Sequence, residues 1–250
     1  MRWLLLLVPV LALAAVWRRR RALASRQRRL MMLCDRAGLK FSPLDLRSDT
    51  AWLPFRMFGR SPSGTENVVW DARVGPEVYA FDFWYQDATD DRDVGTKRRL
   101  TCAVVPLPAG CPDLRVSPRD AASLSDLPRG SEVNLELEEF TRRFLVEAQD
   151  RRFAFAFLDQ RMMQALLGLP DDVIAEVSQD VLLLWGPLLP PDRVLLLFDA
   201  VQRIRGRIPR VLPSLFPPRP IQSPVEHRWL QGRWSPDPTG TQVPRPTPSS

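Results

Sequence analysis

Residues Glu77–Gln86, EVYAFDFWYQ, decide the fold. Side chains of a strand alternate between two faces. Tyr79, Phe81, Phe83 and Tyr85 therefore share one face, and Ala80, Asp82, Trp84 and Gln86 the other. Aromatics on one side and a carboxylate on the other describe a strand whose aromatic face meets a core. Working outward, Glu66–Val74 reads as its antiparallel partner across Gly75-Pro76. Lys97–Leu107 reads as a third strand beyond the acidic loop Asp87–Gly95, and Leu114–Pro118 as a fourth. Arg143–Gln149 alternates too, and Val173–Ser178 with Asp180–Trp185 reads as a closing hairpin.

Two helices accompany the strands. Asp159 caps Gln160–Leu167, which Gly168 and Pro170 stop. Pro190-Pro191-Asp192 opens a second, with Val194, Leu195, Phe198, Val201 and Ile204 on one face. Trp52, Leu53, Phe55, Met57 and Phe58 are expected to pack on the same body. The pattern predicts an α+β domain over residues 41–213, an antiparallel sheet of about five to seven strands with about two packed helices.

Ahead of it stands Trp3–Trp17, WLLLLVPVLALAAVW, followed at once by Arg18, Arg19, Arg20 and Arg21. As a helix the apolar run covers roughly 22 Å, short of the ~30 Å hydrocarbon core of a bilayer. Trp3 and Trp17 fit interfacial aromatics, and the arginines can snorkel outward. Residues 1–21 are therefore expected to be a single transmembrane helix with a basic flank. The positive-inside rule places the N-terminus outside and the main domain in the cytoplasm, at the plasma (cytoplasmic) membrane. The rival reading is a cleaved signal peptide with Ala12-Leu13-Ala14 at the cleavage site, and the arginines behind the apolar run oppose it. Residues 22–40 continue as a juxtamembrane helix with Leu30, Leu33 and Cys34 on one face. Its basic residues gain on the order of 1 kcal/mol each near an anionic leaflet.

The net charge of +6 is unevenly placed. Residues 1–40 hold ten Arg or Lys against Asp35 alone, and residues 214–250 hold four Arg against Glu226 and Asp237, which leaves 41–213 at −5. A domain of that sign is a poor nucleic-acid binder. Cys34, Cys102 and Cys111 form no CxxC pair, and an odd count suits a reducing compartment. From Ser214 the chain is proline-rich, and residues 214–250 are expected to be a disordered tail able to offer polyproline segments to a partner.

Chemistry is sparse. His227, the only histidine, lies in the tail, which removes Ser-His-Asp and Cys-His catalysis and histidine-based zinc sites. Neither GxxxxGK[ST] nor GxGxxG occurs. Carboxylates remain: Asp82 in mid-strand and Asp71 on the facing strand are candidates for an acid–base pair or a cation site. The alternative is that water, Arg98 or Arg99 satisfies Asp82. Asp87–Asp93 lacks the glycine and glutamate of an EF-hand loop. Candidate binding residues are thus Asp71, Asp82 and Trp84, with no catalytic residue, metal ligand or cofactor assigned.

The runs GTENVVW (64–70), YAFDFWYQD (79–87), EEFTRRFLVEAQD (138–150) and LDQRMMQALL (158–167) resemble a family of uncharacterised bacterial membrane proteins, frequent in actinobacteria. In these, N-terminal membrane segments precede a domain of unknown function. The resemblance covers about residues 30–210 and implies one anchored domain with no assigned activity. The expected function is a non-catalytic, membrane-tethered binding or scaffold domain that meets a membrane-proximal protein partner at a bilayer containing anionic lipids. The alternatives are a carboxylate-dependent enzyme centred on Asp82, or anionic-lipid sensing through Arg26, Arg28 and Arg29.

Overall fold

A computed structural model describes residues 2–43, 50, 53–60, 62–71, 78–86, 97–121 and 130–218; within the first helix the side chains of 2–13, 15, 16 and 19 fall outside that description. Its centre is a seven-stranded antiparallel sheet: β1 (Lys40–Ser42), β2 (Ser63–Trp70), β3 (Tyr79–Gln86), β4 (Lys97–Pro118), β5 (Ser131–Glu132), β6 (Phe144–Ala148) and β7 (Ile174–Pro187). The order is β1-β2-β3-β4-β6-β5, with β7 beside β4. The α+β class read from the sequence holds.

Two expected breaks are absent. Lys97–Leu107 and Leu114–Pro118 form one strand of 22 residues, β4, because the prolines between them interrupt the ladder without ending it. Register shifts between Pro106 and Cys111 and between Cys111 and Leu114 bend the strand, so its first part pairs with β3 and its last with β6. Similarly, Val173–Ser178 and Asp180–Trp185 are not a hairpin. They are one strand, β7, in which Gln179 takes a positive φ of 55° opposite Cys111 at the bulge. Polar residues that resemble a turn are here a kink. β2 ends at Trp70, and the expected turn Gly75-Pro76 lies outside the described residues.

Both faces of the sheet are covered. Leu53, Phe55, Met57 and Phe58 fold over one face against Tyr79, Phe81, Phe83, Val181 and Leu183, as their apolar character predicts, and Trp52 lies outside the described residues. The opposite face carries Val69, Ala80 and Ala103 and lies under the helices. Asp82 therefore does not look out at water; it is 2% exposed.

More helices pack here than the two expected. α1 is Arg2–Ala37, α2 Glu138–Arg143, α3 Arg151–Phe157, α4 Gln160–Leu167, α5 Pro191–Arg205 and α6 Leu212–Leu215. Asp159 caps α4 by accepting from Met162 N at 2.8 Å. Asp150 caps α3 in the same way, accepting from Arg152 N at 2.7 Å and Phe153 N at 3.3 Å. The alternating FAFAF of α3 conceals a helix that only its cap announces. The chain stays packed past Ser214: Phe216 meets the Phe153 ring edge-on at 5.1 Å, and its carbonyl accepts from Gly110 N. The tail expected from 214 is thus ordered to Pro218, and 219–250 lie outside the described residues.

α1 is one continuous helix of 36 residues, ended by Gly38 at φ 69°. Among the described residues no helix is long and apolar enough to cross a membrane, so the expected span is not found. The physical reason is legible: the uncharged run stops at Trp17, and arginines stand on both sides of it. What α1 does show is a buried stripe, with Leu30 and Cys34 fully enclosed against the sheet.

Candidate functional site

Asp82 sits where five elements meet. β3 aims it at α1, and α1 answers with Arg26, eight residues before Cys34 on the same helical stripe. Arg26 Nε donates to Asp82 Oδ2 at 3.0 Å and Nη2 to Oδ1 at 2.8 Å, a bidentate pair. The two side chains are 9% and 3% exposed. The remaining arm, Nη1, donates to the Leu189 carbonyl just ahead of α5.

The sheet supplies two more donors. Thr101, opposite Asp82 on β4, donates its hydroxyl to Oδ1 at 3.1 Å and accepts from Leu189 N at 3.0 Å. Asn67 occupies the bulge of β2 with φ 59°, a conformation asparagine tolerates, and its Nδ2 reaches Oδ2 at 2.9 Å. Each carboxylate oxygen therefore receives two donors. A carboxylate offers about four acceptor sites, so none remains for a substrate proton or a cation. Asp82 is a clamp that joins α1, β2, β3, β4 and the start of α5.

The other expected partners are elsewhere. Arg99 Nε bonds Glu66 Oε1 at 3.1 Å rather than Asp82. Asp71 is buried just past the Trp70–Tyr79 rung, and Asp82 lies three residues further along β3, about 10 Å of strand. The proposed pair of acids does not assemble. Trp84 does share Asp82's face; it is half-exposed, and Lys97 Nζ stands 3.3 Å from its ring centroid. Among the membrane-flanking residues, Arg18, Arg20 and Arg21 are exposed, Trp17 is exposed with Arg21 5.0 Å over its ring, and the side chains of Trp3 and Arg19 lie outside the described set. Of the three arginines expected to read lipid, Arg26 is buried in the clamp, while Arg28 and Arg29 remain exposed.

The thiols are poor nucleophiles. Burial, then the charges of Asp82 and Glu176, holds Cys102 well above the ordinary thiol range. Burial pushes Cys34 to about 11, and burial with Asp180 pushes Cys111 to about 12. All three are unbridged. No group of acids, cysteines or histidines able to hold a metal occurs among the described residues. A second buried charge cluster staples the far half of the sheet, with Arg115 Nη1 on Glu147 Oε2 at 3.2 Å and its Nε 3.9 Å from Glu176 Oε1. A cleft of about 460 Å³ lies elsewhere, between Leu135–Leu137 and helices α3 and α4; Phe155, Leu158 and Met163 line it, and Asp71, Asp82 and Trp84 do not.

No protein-family model matches the chain, and no curated protein matches it. Among solved structures, the fold is similar to the crystal structure of the mycobacterial trehalose monomycolate transport factor A, TtfA. The TM-score is 0.52 at 16% identity, over 78% of this chain and 98% of that one. At that identity the likeness is one of fold.

Proposed function

We propose that this chain is a non-catalytic accessory module of a membrane transport system, held at the cytoplasmic membrane by its N-terminal helix. The observation that carries this reading is the saturated Asp82. The carboxylate that sequence logic offers as a catalytic group is spent on fixing α1 to the sheet. A helix locked to four other elements of a domain transmits position, which is the task of a tethered partner. The fold likeness to a transport factor supports the transport association; its cargo is not carried over.

In this reading Trp3–Trp17 enters the bilayer despite its length. Arg18–Arg21 stay at the cytoplasmic headgroups, and local thinning covers the shortfall at a modest cost per ångström. Anionic lipids favour the collar, and a membrane-proximal protein completes the complex. The test is in-cell crosslinking of the full chain followed by partner identification, with alkaline extraction of the membranes alongside. A membrane-embedded partner and retention of the chain in the extracted membrane are the expected results. Recovery of a soluble extracellular form starting near Ala15, or of soluble partners alone, overturns the proposal.

A further inference from the structure

The clamp fixes which end of the sheet faces the projecting part of α1. Ala37 leads through Gly38 into β1, whose Lys40 pairs with Trp70, which in turn pairs with Tyr79 at the start of β3. Arg26 stands on Asp82, further along β3. Followed backward, α1 therefore travels in the direction in which β3 runs forward. From Asp82 to Gln86 is four residues, about 13 Å of strand. About nine helical residues cover that length, so for a helix lying along the strands Trp17 stands level with the Gln86–Lys97 rung. On that path the apolar run begins where the sheet stops.

That end of the sheet has an unusual composition. Trp84 and Tyr85 are half-exposed there, with Lys97 3.3 Å from the Trp84 ring centroid and Arg60 4.6 Å from that of Tyr85. Arg98 is exposed beside them. Two of the four cation–aromatic contacts among the described residues gather at this end, and a third, Arg21 over Trp17, lies on α1 where the apolar run begins. Aromatic rings with adjacent cations are the composition of a membrane–water interface, where rings sit among headgroups and cations meet phosphates.

We propose that this rim, Trp84, Tyr85, Arg60 and Lys97, is a second membrane contact that seats the domain on the headgroup zone. The inference rests on the tether proposed above and adds an orientation to it. The connection 87–96 carries Asp87, Asp90, Asp91 and Asp93 against Arg92. The seat therefore depends on ring insertion and on phosphates common to all phospholipids, and is not strengthened steeply by anionic lipid.

The test uses the full chain reconstituted into phosphatidylcholine vesicles, with or without phosphatidylglycerol. A nitroxide is placed at Arg98→Cys, and a control at Leu196→Cys. The native thiols are buried and leave the introduced one selectively reactive. Arg29 meets Asp192, so Leu196 on the exposed side of α5 stands level with about Leu33, roughly 24 Å from Trp17 along α1. The expected result is several-fold lower access of a water-soluble relaxant to position 98 than to 196, within two-fold in both lipids, and lost on Trp84→Ala with Tyr85→Ala. The milder Lys97→Gln, which leaves both rings in place, should lower protection only partly. Equal access at 98 and 196 in a chain that floats with the vesicles overturns the rim contact and leaves the tether standing. Protection seen only with phosphatidylglycerol also overturns it, since charge alone would then hold the domain. A chain that does not float at all sinks the tether, and the rim with it.

Discussion

Arg26 and Asp82 are 56 residues apart in the chain and 2.8 Å apart in space. No other described ion pair ties the N-terminal helix to the sheet this deeply: Arg29 and Asp192, the neighbouring contact from α1, are 64% and 60% exposed and 4.0 Å apart. An exposed pair of that kind contributes about 0–1 kcal/mol, whereas a buried bidentate one holds its elements in a single arrangement. The Asp82 carboxylate, with the enclosed Leu30 and Cys34, thus fixes the orientation of α1.

Removing that carboxylate has a definite cost. Asp82→Asn leaves Arg26 buried without its counter-charge, and breaking one side of a buried pair destabilises by about 3–5 kcal/mol. Arg26→Leu with Asp82→Leu removes both charges and should recover much of the loss, although Thr101 and Asn67 then lose an acceptor. Urea denaturation of wild type, Arg26→Leu, Asp82→Leu and the Arg26→Leu/Asp82→Leu double, the four corners of a double-mutant cycle, reads the coupling. Additive effects would mean that the pair is not a unit.

The thiols give a pH dependence with a known sign. Burial raises Cys34 from its ordinary 9.0 to about 11 and Cys111 to about 12. Each is neutral in the fold and ionises earlier once unfolded. Their contribution is complete below about pH 9 and falls as pH climbs toward the folded values. Cys34→Ala with Cys111→Ala should flatten that alkaline decline, measured as the denaturation midpoint from pH 8 upward. At pH 8 the native chain should resist a thiol-specific reagent that labels all three cysteines after denaturation.

Much of the fold was legible in the sequence, and the reasons differ by element. β3 declared itself by alternation, and α4 and α5 by their starts at Asp159 and Pro190-Pro191. β4 and β7 were split because proline and a Ser-Gln-Asp run carry turn chemistry locally, while tertiary pairing carries the strand through. The candidate site was less legible. Asp82 reads locally as facing water, its cover comes from α1, and no local pattern pairs residue 82 with residue 26. One signal existed: Arg26, Leu30 and Cys34 repeat every four residues, placing a cation on an apolar stripe that needs a buried partner.

Two glycines tolerate no side chain. A Cβ on Gly186 would stand 2.7 Å from the Asp172 carbonyl oxygen, and one on Gly130 2.4 Å from the Ala148 carbonyl carbon. Both neighbours are backbone, so the main chain must shift. Gly186→Ala and Gly130→Ala should each destabilise by about 1–3 kcal/mol. Gly59→Ala, with nothing within 4 Å, is the matched control and should stay near wild type. Thermal denaturation of the three variants compares them directly, and equal midpoints would refute the close approach.

The caps separate a helix held by its own ends from one held by packing. Asp159→Ala removes the acceptor for Met162 N, and Asp150→Ala the one for Arg152 N and Phe153 N; a lost cap costs about 1 kcal/mol. α3 is seven residues long, too short to persist alone, and Phe153 and Phe157 anchor it with rings 5.5 Å apart. Asp150→Ala should therefore raise amide exchange at Arg152 and Phe153 and leave Phe157 protected by packing. If exchange rises equally along the whole of 151–157, the cap and not the two rings holds α3 in place.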